Sequence, residues 1–374
     1  MAAFNVFDVS AALIERIRRD YADDVAIAAY YGSYLDGTAT ERSDLDFFFI
    51  PATPAGHKAG LAFILNGISF DFWPISWERA GCMARMEDAK AGILADCKLL
   101  YVRSDEDLER FNQLKHQLKD IRSFEGDAEF ASRARQRLND AYPCLYELRR
   151  GGAGQELSLC RQMAFEVMAP ALEALALLNR TTYNKGWGRN LSQMFDFAIR
   201  PEKFEATLEL ILRSANIPEV IAACERLVDE VAELIRRQLA RYETEPDYPQ
   251  RGEGFFEEFK GILDKVQSAC ERRDYELAFF SAVQADSELN RFLVFCETGT
   301  WKFGRIAAEE GRKIAERAKL PALTPLLDPD NLFALQSAAH MLETFLERYL
   351  REQGVEIRRF DNLEPFRRFL LDTE

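Results

Sequence analysis

Three aspartates in the first 75 residues are the side chains best suited to carry out chemistry. Asp44 and Asp46 open an aromatic-rich run that ends at Pro51, and Asp71 lies in a similar run at residues 68–75. Side chains two positions apart on a strand project to the same face, so Asp44 and Asp46 point together. Paired carboxylates repel each other unless a cation lies between them, and Mg²⁺ prefers carboxylate and phosphate oxygens. The pattern predicts a divalent-metal site with Asp71 as a third ligand on a neighbouring strand.

A Gly-Ser pair precedes these acids. Gly32 and Ser33 follow an apolar run at residues 25–31. Glycine permits a tight turn and a close approach of the backbone to a ligand. A short helix beginning at Ser33 would present free N–H groups and a hydroxyl to anionic phosphates. We therefore expect a nucleoside triphosphate between this turn and the acids, with Arg42 as a further nucleotide-binding residue.

Residues 28–50 resemble the nucleotidyltransferase superfamily with the DNA-polymerase-β-type fold. Its signature is Gly-Ser or Gly-Gly, a spacer of about a dozen residues, Asp-x-Asp and a later third acid. Here Gly32-Ser33 is followed by a ten-residue spacer and by Asp44-Leu45-Asp46. The resemblance implies that Asp44 and Asp46 bind two Mg²⁺ ions and that Asp71 completes the site that activates the acceptor hydroxyl. AMP, with ATP as the commonest donor, would pass to the acceptor and pyrophosphate would leave.

The elements around the motif predict an α+β fold, in which a small mixed sheet with helices is followed by all-α helical bundle regions. The predicted strands are residues 25–31, 44–50, 68–75 and 98–102. The predicted helices are residues 9–21, 56–66, 127–149, 155–179, 187–199, 202–213, 217–241 and a long helix with an apolar stripe from Leu335 to Leu350. The segment 243–254 has the proline, glycine and acid content of a connector. These boundaries predict a catalytic domain at 1–122, a helical substrate- and nucleotide-binding domain at 123–245 and a C-terminal helical domain at 255–374.

The order of a short catalytic domain and a helical domain resembles the bacterial transferases that modify aminoglycosides and related antibiotics. Residues 177–189 resemble a stretch of their helical domain. That resemblance implies that Lys185 and Arg189 reach the β- and γ-phosphates of the nucleotide. It also implies a glutamate that acts as general base for the acceptor hydroxyl. Glu147 is the candidate for this base, and Glu156 and Glu166 compete with it.

Charge and composition limit the partners of the chain. The formal net charge of −14 over 374 residues disfavours long nucleic acid and favours a cationic small acceptor. Seven scattered cysteines and three histidines have no zinc-ligand spacing. The N-terminus has no signal-peptide pattern and no stretch is long enough to span a bilayer, so we expect a cytoplasmic protein without a membrane partner.

Three functions are compatible with these residues. The first is transfer of a nucleoside monophosphate to a hydroxyl of a small molecule, such as an aminoglycoside-like antibiotic. The second is nucleotidylation of a protein partner, as in antitoxin-like members of the superfamily, with the C-terminal region docking the partner. The third is a nucleotide-binding module without catalysis, against which the presence of all three acids argues.

Overall fold

The computed structural model describes residues 5–123, 128–183 and 190–372. The chain divides into two compact units, Met1–Tyr242 and Glu243–Glu374. The division falls at the start of the predicted connector, where proline and glycine disfavour a continuous helix. The α+β prediction is confirmed, because a five-stranded mixed sheet near the N-terminus is followed by helices. The predicted boundary at residue 122 lies at the end of a helix inside the first unit and stays a prediction.

The first unit contains the sheet and the helices that pack on it and follow it. Its strands are β1 Val25–Tyr31, β2 Asp46–Pro51, β3 Leu61–Leu65, β4 Ile68–Pro74 and β5 Lys98–Val102. Its helices are α1 Val6–Asp20, α2 Trp77–Ala84, α3 Ala91–Ala95, α4 Asp105–Ser123, α5 Ala128–Asn139, α6 Ala141–Gly151, α7 Leu157–Leu178, α8 Leu191–Phe195, α9 Phe204–Arg213 and α10 Ile217–Ala240. The strand order is β3-β4-β2-β1-β5, with β2 and β4 parallel and the other neighbours antiparallel.

The central strand β2 is buried on both faces, which fixes the direction of the acids. Phe47 and Phe49 pack with α1 on one face of the sheet. Phe48 packs with residues of α2, α3 and α4 on the other face. Side chains alternate along a strand, so Asp46 lies on the face of Phe48. The same alternation places Asp71 on the face of Trp73, which also packs with the α2–α4 layer.

The helix predicted at residues 56–66 is wrong in its second half. A short 3-10 helix, Pro54–Ala59, is followed by strand β3, which pairs antiparallel with β4. Asn66 and Gly67 form the connecting turn with φ values of 53° and 77°. A two-residue hairpin loop with a type I′ turn requires positive φ at both positions. The five apolar residues of β3 have no periodicity that separates a strand from a helix.

Three other predicted boundaries also differ from the structure. The helix predicted at 127–149 is two helices, α5 and α6, because Pro143 has no N–H and its ring would clash with the carbonyl of Asn139 in a continuous helix. A helix was predicted at 187–199. In the described part of that stretch, the structure has only the five-residue helix α8. Strand β2 begins at Asp46, so Asp44 lies in the preceding loop.

The second unit is a helical bundle with its own core. Its helices are α11 Tyr248–Arg251, α12 Phe255–Arg272, α13 Tyr275–Thr298, α14 Gly304–Arg317, α15 Phe333–Glu352 and α16 Leu363–Asp372. The predicted stripe of the long helix is confirmed, because Leu335, Leu342, Leu346 and Leu350 of α15 are fully buried in this core. Among the described residues, no helix has both the length and the apolarity needed to cross a bilayer.

Residues 1–242 are expected to fold as a separate polypeptide, with a cooperative thermal transition and a helical far-UV circular dichroism spectrum. The reason is that, among the described residues, the buried clusters of the first unit and the core of the second unit share no member. Circular dichroism of fragments 1–242 and 243–374 measures this. A fragment 1–242 that binds hydrophobic dyes and melts without a transition would contradict the expectation.

Candidate functional site

The three predicted acids lie on or next to two adjacent strands. Tyr31 of β1 pairs with Asp46 of β2, and Phe47 of β2 pairs with Phe72 of β4. The parallel register places Asp46 beside Asp71, one strand spacing of about 4.8 Å away. Asp44 precedes β2 by two residues. Asp44 and Asp46 are half-buried and Asp71 is exposed. Alternation along β2 and β4 places Asp46 and Asp71 on the α2–α4 face of the sheet.

Burial destabilises the ionised forms of Asp44 and Asp46. Burial, together with the neighbouring Asp44 carboxylate, raises the pKa of Asp46 to about 6. Burial also raises the pKa of Asp44, with a contribution from Asp71, against a hydrogen bond from its own backbone. Each ionised carboxylate is therefore held where its charge is disfavoured. A cation between them would offset this cost.

Tyr31 is a site residue that the sequence analysis missed. Burial raises the pKa of its phenol to about 12, Trp73 opposes this shift, and the carboxylates of Asp46, Asp44 and Asp71 add to it. The phenol therefore stays protonated at neutral pH and lies among the acids. The available signal was its position directly before Gly32, at the end of β1 and in register with Asp46.

Gly32 allows the Asp46 carboxylate to approach the backbone. Its φ is +81°, and a Cβ at this position would lie 2.1 Å from Oδ2 of Asp46. No other residue type fits without moving the acid. The sequence predicted a close approach at Gly32, and the structure identifies Asp46 as a group that approaches it.

The segment after Gly32 forms hydrogen-bonded turns in place of the predicted short helix. The N–H groups of Leu35 and Asp36 donate to the carbonyl of Gly32 at 2.9 and 3.2 Å. The N–H groups of Ser33 and Tyr34 donate to no backbone carbonyl within the described ranges, so they are available to an anion.

Arg42 is exposed in the loop that leads to the acids. Thr40 and Ser43 close this loop, because the Ser43 N–H donates to the Thr40 carbonyl at 3.0 Å and the Thr40 N–H donates to Ser43 Oγ at 2.9 Å. The loop thus delivers Asp44 directly after a closed turn, with Arg42 two residues before it. Binding of nucleotide by Arg42 stays a prediction.

The donor set fits a hard divalent cation, and Asp44, Asp46 and Asp71 are the residues that would hold it. Within the part of the chain that the structure describes, no three acidic, histidine or cysteine side chains are already gathered into a complete metal cluster. Mg²⁺ commonly takes one or two carboxylates and completes its shell with water and substrate phosphates. The repelling pair Asp44 and Asp46 matches such a partial set.

A cavity of about 250 Å³ separates the segment after α2 from the helices that follow the sheet. Met86, Glu87, Asp88 and Ala89 line one side of it, and Thr181, Thr182 and Tyr183 line another. Arg137 of α5 and Glu173 of α7 form an ion pair in its wall. The sequence analysis missed Glu173, although an acid within the apolar segment at residues 170–178 was a signal.

The predicted residues of the helical region are not brought to the acids by any recorded contact. Glu147 is exposed on α6, and Glu156 and Glu166 are exposed before and on α7. The Tyr183 hydroxyl donates to the Leu172 carbonyl at 2.6 Å. This hydrogen bond holds Tyr183 against α7. Lys185 and Arg189 lie outside the described residues.

The helices that follow the sheet are similar to a known domain family. Residues 108–240, from α4 to the end of α10, match the model of the KNTase C-terminal domain, where KNTase is kanamycin nucleotidyltransferase. These residues are similar to the KNTase C-terminal domain, and the match covers about a third of the chain. The prediction of a nucleotidyltransferase-superfamily protein with a helical region after its catalytic domain is confirmed by this match. The KNTase-type helices include α5 and α7, which carry the Arg137–Glu173 pair of the cavity wall.

Comparison with solved and curated proteins adds little to this assignment. A nucleotidyltransferase-like protein from Exiguobacterium sibiricum 255-15 is 11% identical, and its match covers 62% of this chain and 79% of that chain with a TM-score of 0.39. A likeness this weak carries no argument about function. No curated protein matches the chain.

Asp46→Asn is expected to stabilise the metal-free protein at neutral pH by about 1 kcal/mol, a value discounted for partial contact with water. The folded-state pKa of Asp46, about 6, lies above its ordinary value of 3.8. Its contribution to stability is therefore present below about pH 4 and is lost as the pH rises through about 6. Urea unfolding in EDTA at pH 5 and pH 7.5 measures this, and a gap between variant and wild type that does not widen with pH would refute it.

Proposed function

We propose that this chain transfers a nucleoside monophosphate from a nucleoside triphosphate to a hydroxyl group and releases pyrophosphate. The observation that supports this most directly is the Asp46 carboxylate. It is half-buried beside Asp44, it lies against Gly32, and its pKa is raised to about 6. A nucleotide with its cation offsets the charge that folding has concentrated there.

The residues divide the reaction between two sides of the site. The N–H groups of Ser33 and Tyr34 bind phosphate oxygens of the nucleotide, and Asp44 and Asp46 would hold the cation that accompanies it. Mg²⁺, when bound, neutralises charge on the reacting phosphate. Asp71, on the far side of Asp46, orients the acceptor. The acceptor oxygen bonds to the α-phosphorus, the bond to the bridging oxygen of the β-phosphate breaks, and a base takes the hydroxyl proton.

We assign ATP as the donor and a small hydroxylated molecule of the aminoglycoside-like type as the acceptor. The KNTase C-terminal domain match of the helices supports this class of acceptor. The net charge of −14 favours a cationic molecule. Glu147 stays our candidate for the general base that the helical region would supply.

A second candidate is transfer to a protein, which strand β3 favours. This edge strand carries no charge, and Ile64 is 76% exposed. Ala62 of β3 pairs with Asp71, so an extended peptide added to this edge would lie about two strand spacings from the acid. Uncharged edge strands accept extended peptides through main-chain hydrogen bonds.

The test is pyrophosphate release with Mg²⁺ and each of the four nucleoside triphosphates, against a panel of aminoglycosides and other hydroxylated amines. Asp44→Ala/Asp46→Ala is the control. We expect acceptor-dependent release that the double variant lacks. Transfer of label from α-labelled nucleotide to a protein band, without release on the panel, would favour the second candidate. Nucleotide binding without release or labelling would defeat both.

A further inference from the structure

Two cationic side chains lie on the indole ring of Trp73, two residues after Asp71 on β4. The guanidinium of Arg79 lies over the indole of Trp73 at 5.3 Å, and the ammonium of Lys90 lies over the same ring at 4.9 Å. Cations at these distances are attracted to the ring face, which restrains two flexible side chains. We call Trp73, Arg79, Lys90 and Asp88 the indole cluster.

The indole cluster has a net positive charge, because it contains two cations and one acid. Arg79 Nε pairs with Asp88 Oδ2 at 2.8 Å, and the other Asp88 oxygen accepts the backbone N–H of Lys90 at 2.8 Å. Asp88 thus offsets one of the two cations. In the ranges that the structure describes, Lys90 forms no ion pair, and Asp88 is the ion-pair partner recorded for Arg79. The Lys90 ammonium and the terminal nitrogens of Arg79 are therefore available to an anion.

The indole cluster lies beside the acids and beside the cavity. Trp73 follows Asp71 by two residues on β4, so the two side chains share a face about 7 Å apart along the strand. Trp73 and Tyr31 pack against the same buried cluster, and Tyr31 is paired with Asp46 across β1 and β2. On its other side, Asp88 lines the cavity near Arg137 and Glu173. The only charges within the cluster are those of Arg79, Lys90 and Asp88, with a surplus of one positive charge.

We propose that Arg79 and Lys90, held on Trp73, form a phosphate-binding site on the Asp71 side of the acids. The ligand chemistry is a phosphate or pyrophosphate group. It belongs either to the terminal phosphates of the nucleotide, which leave as pyrophosphate, or to a phosphate carried by the acceptor. The inference rests on the proposed function for its place in the reaction. Binding of the anion itself depends only on the cluster.

Lys90 is the residue with which to test the site, because it is exposed and no ion pair in the described chain depends on it. Isothermal titration calorimetry with pyrophosphate and Mg²⁺ compares the full-length wild type with Lys90→Gln. We expect the affinity to fall about tenfold, the effect of one charge-assisted hydrogen bond. Lys90→Arg should restore binding. Lys98→Gln, an exposed lysine on β5 at the opposite edge of the sheet, should leave it unchanged.

Kinetics separate the two sources of phosphate. A rise in KM for the nucleoside triphosphate with weaker product inhibition by pyrophosphate assigns the site to the nucleotide. A rise in KM for the acceptor alone assigns it to a phosphorylated acceptor. Equal pyrophosphate affinity in wild type and Lys90→Gln, or no measurable binding by the wild type, overturns the proposal even if transfer occurs. Lys90-dependent pyrophosphate binding without transfer supports the phosphate site and defeats the proposed function.

Discussion

Replacing Asp44 or Asp46 by asparagine is expected to lower the rate of nucleotide transfer by at least about 10³-fold. Asparagine keeps the shape of the side chain and removes the charge that a divalent cation needs. The loss should fall on the chemical step, since the N–H groups of Ser33 and Tyr34, which we propose to bind the phosphates, are unchanged. Steady-state pyrophosphate release at saturating Mg²⁺ and nucleotide, with calorimetric nucleotide affinity, measures both parts.

Asp36→Asn is the matched control for this loss. Asp36 is an exposed acid on the same connection between β1 and β2, and it is not among the groups that raise the pKa of Asp44 or Asp46. It should retain the wild-type rate within about twofold, as expected for a surface substitution. Melting curves should show both active-site variants folded, with Asp46→Asn at least as stable as wild type in EDTA. A transfer rate for folded Asp44→Asn or Asp46→Asn equal to that of Asp36→Asn would remove these acids from the mechanism.

Gly32→Ala is expected to reduce transfer by about 10²-fold or more, because a shift near 1 Å in a reacting group costs about that much. The added Cβ would lie 2.1 Å from Oδ2 of Asp46, so the carboxylate or the turn must move. The left-handed φ of +81° adds a stability cost of about 1 to 2 kcal/mol. Transfer rate and thermal melting measure the two effects separately.

Gly37→Ala separates backbone strain from displacement of the acid. Gly37 lies in the same connection with φ +70°, and a Cβ there meets nothing within 4 Å. This variant should show a similar loss of stability and keep most of the transfer activity. If both alanine variants lose activity to the same extent, the close approach of Asp46 to Gly32 is not what the reaction needs.

Local sequence was sufficient to predict the strand, turn and strand that carry the acids. The period of two along β2, the glycine after β1 and the aspartate pair are properties of a few neighbouring residues, so they can be read without a fold. The KNTase-type helices after the sheet were also predictable, because their 3.6-residue periodicity extends over many turns. Pro143 was a readable helix break that the periodicity concealed.

The short apolar strand β3 shows where local sequence was insufficient. Five apolar residues suit a strand or a helix equally, and pairing with β4 decided between them. Glu147 shows the same limit for a catalytic role. Its sequence context does not reveal which helical face meets the sheet, and the structure leaves it exposed while Glu173 lines the cavity.

The sequence by itself determined the chemistry available to this protein: a pair of aspartates behind a glycine turn, with a third acid on a later strand. Only the tertiary structure decided which groups surround them. The register of β1 placed Tyr31 beside Asp46, and the packing of α2 and the α3 start brought Arg79 and Lys90 onto Trp73. These contacts join residues separated along the chain, so they depend on strand pairing and helix packing that no short pattern records.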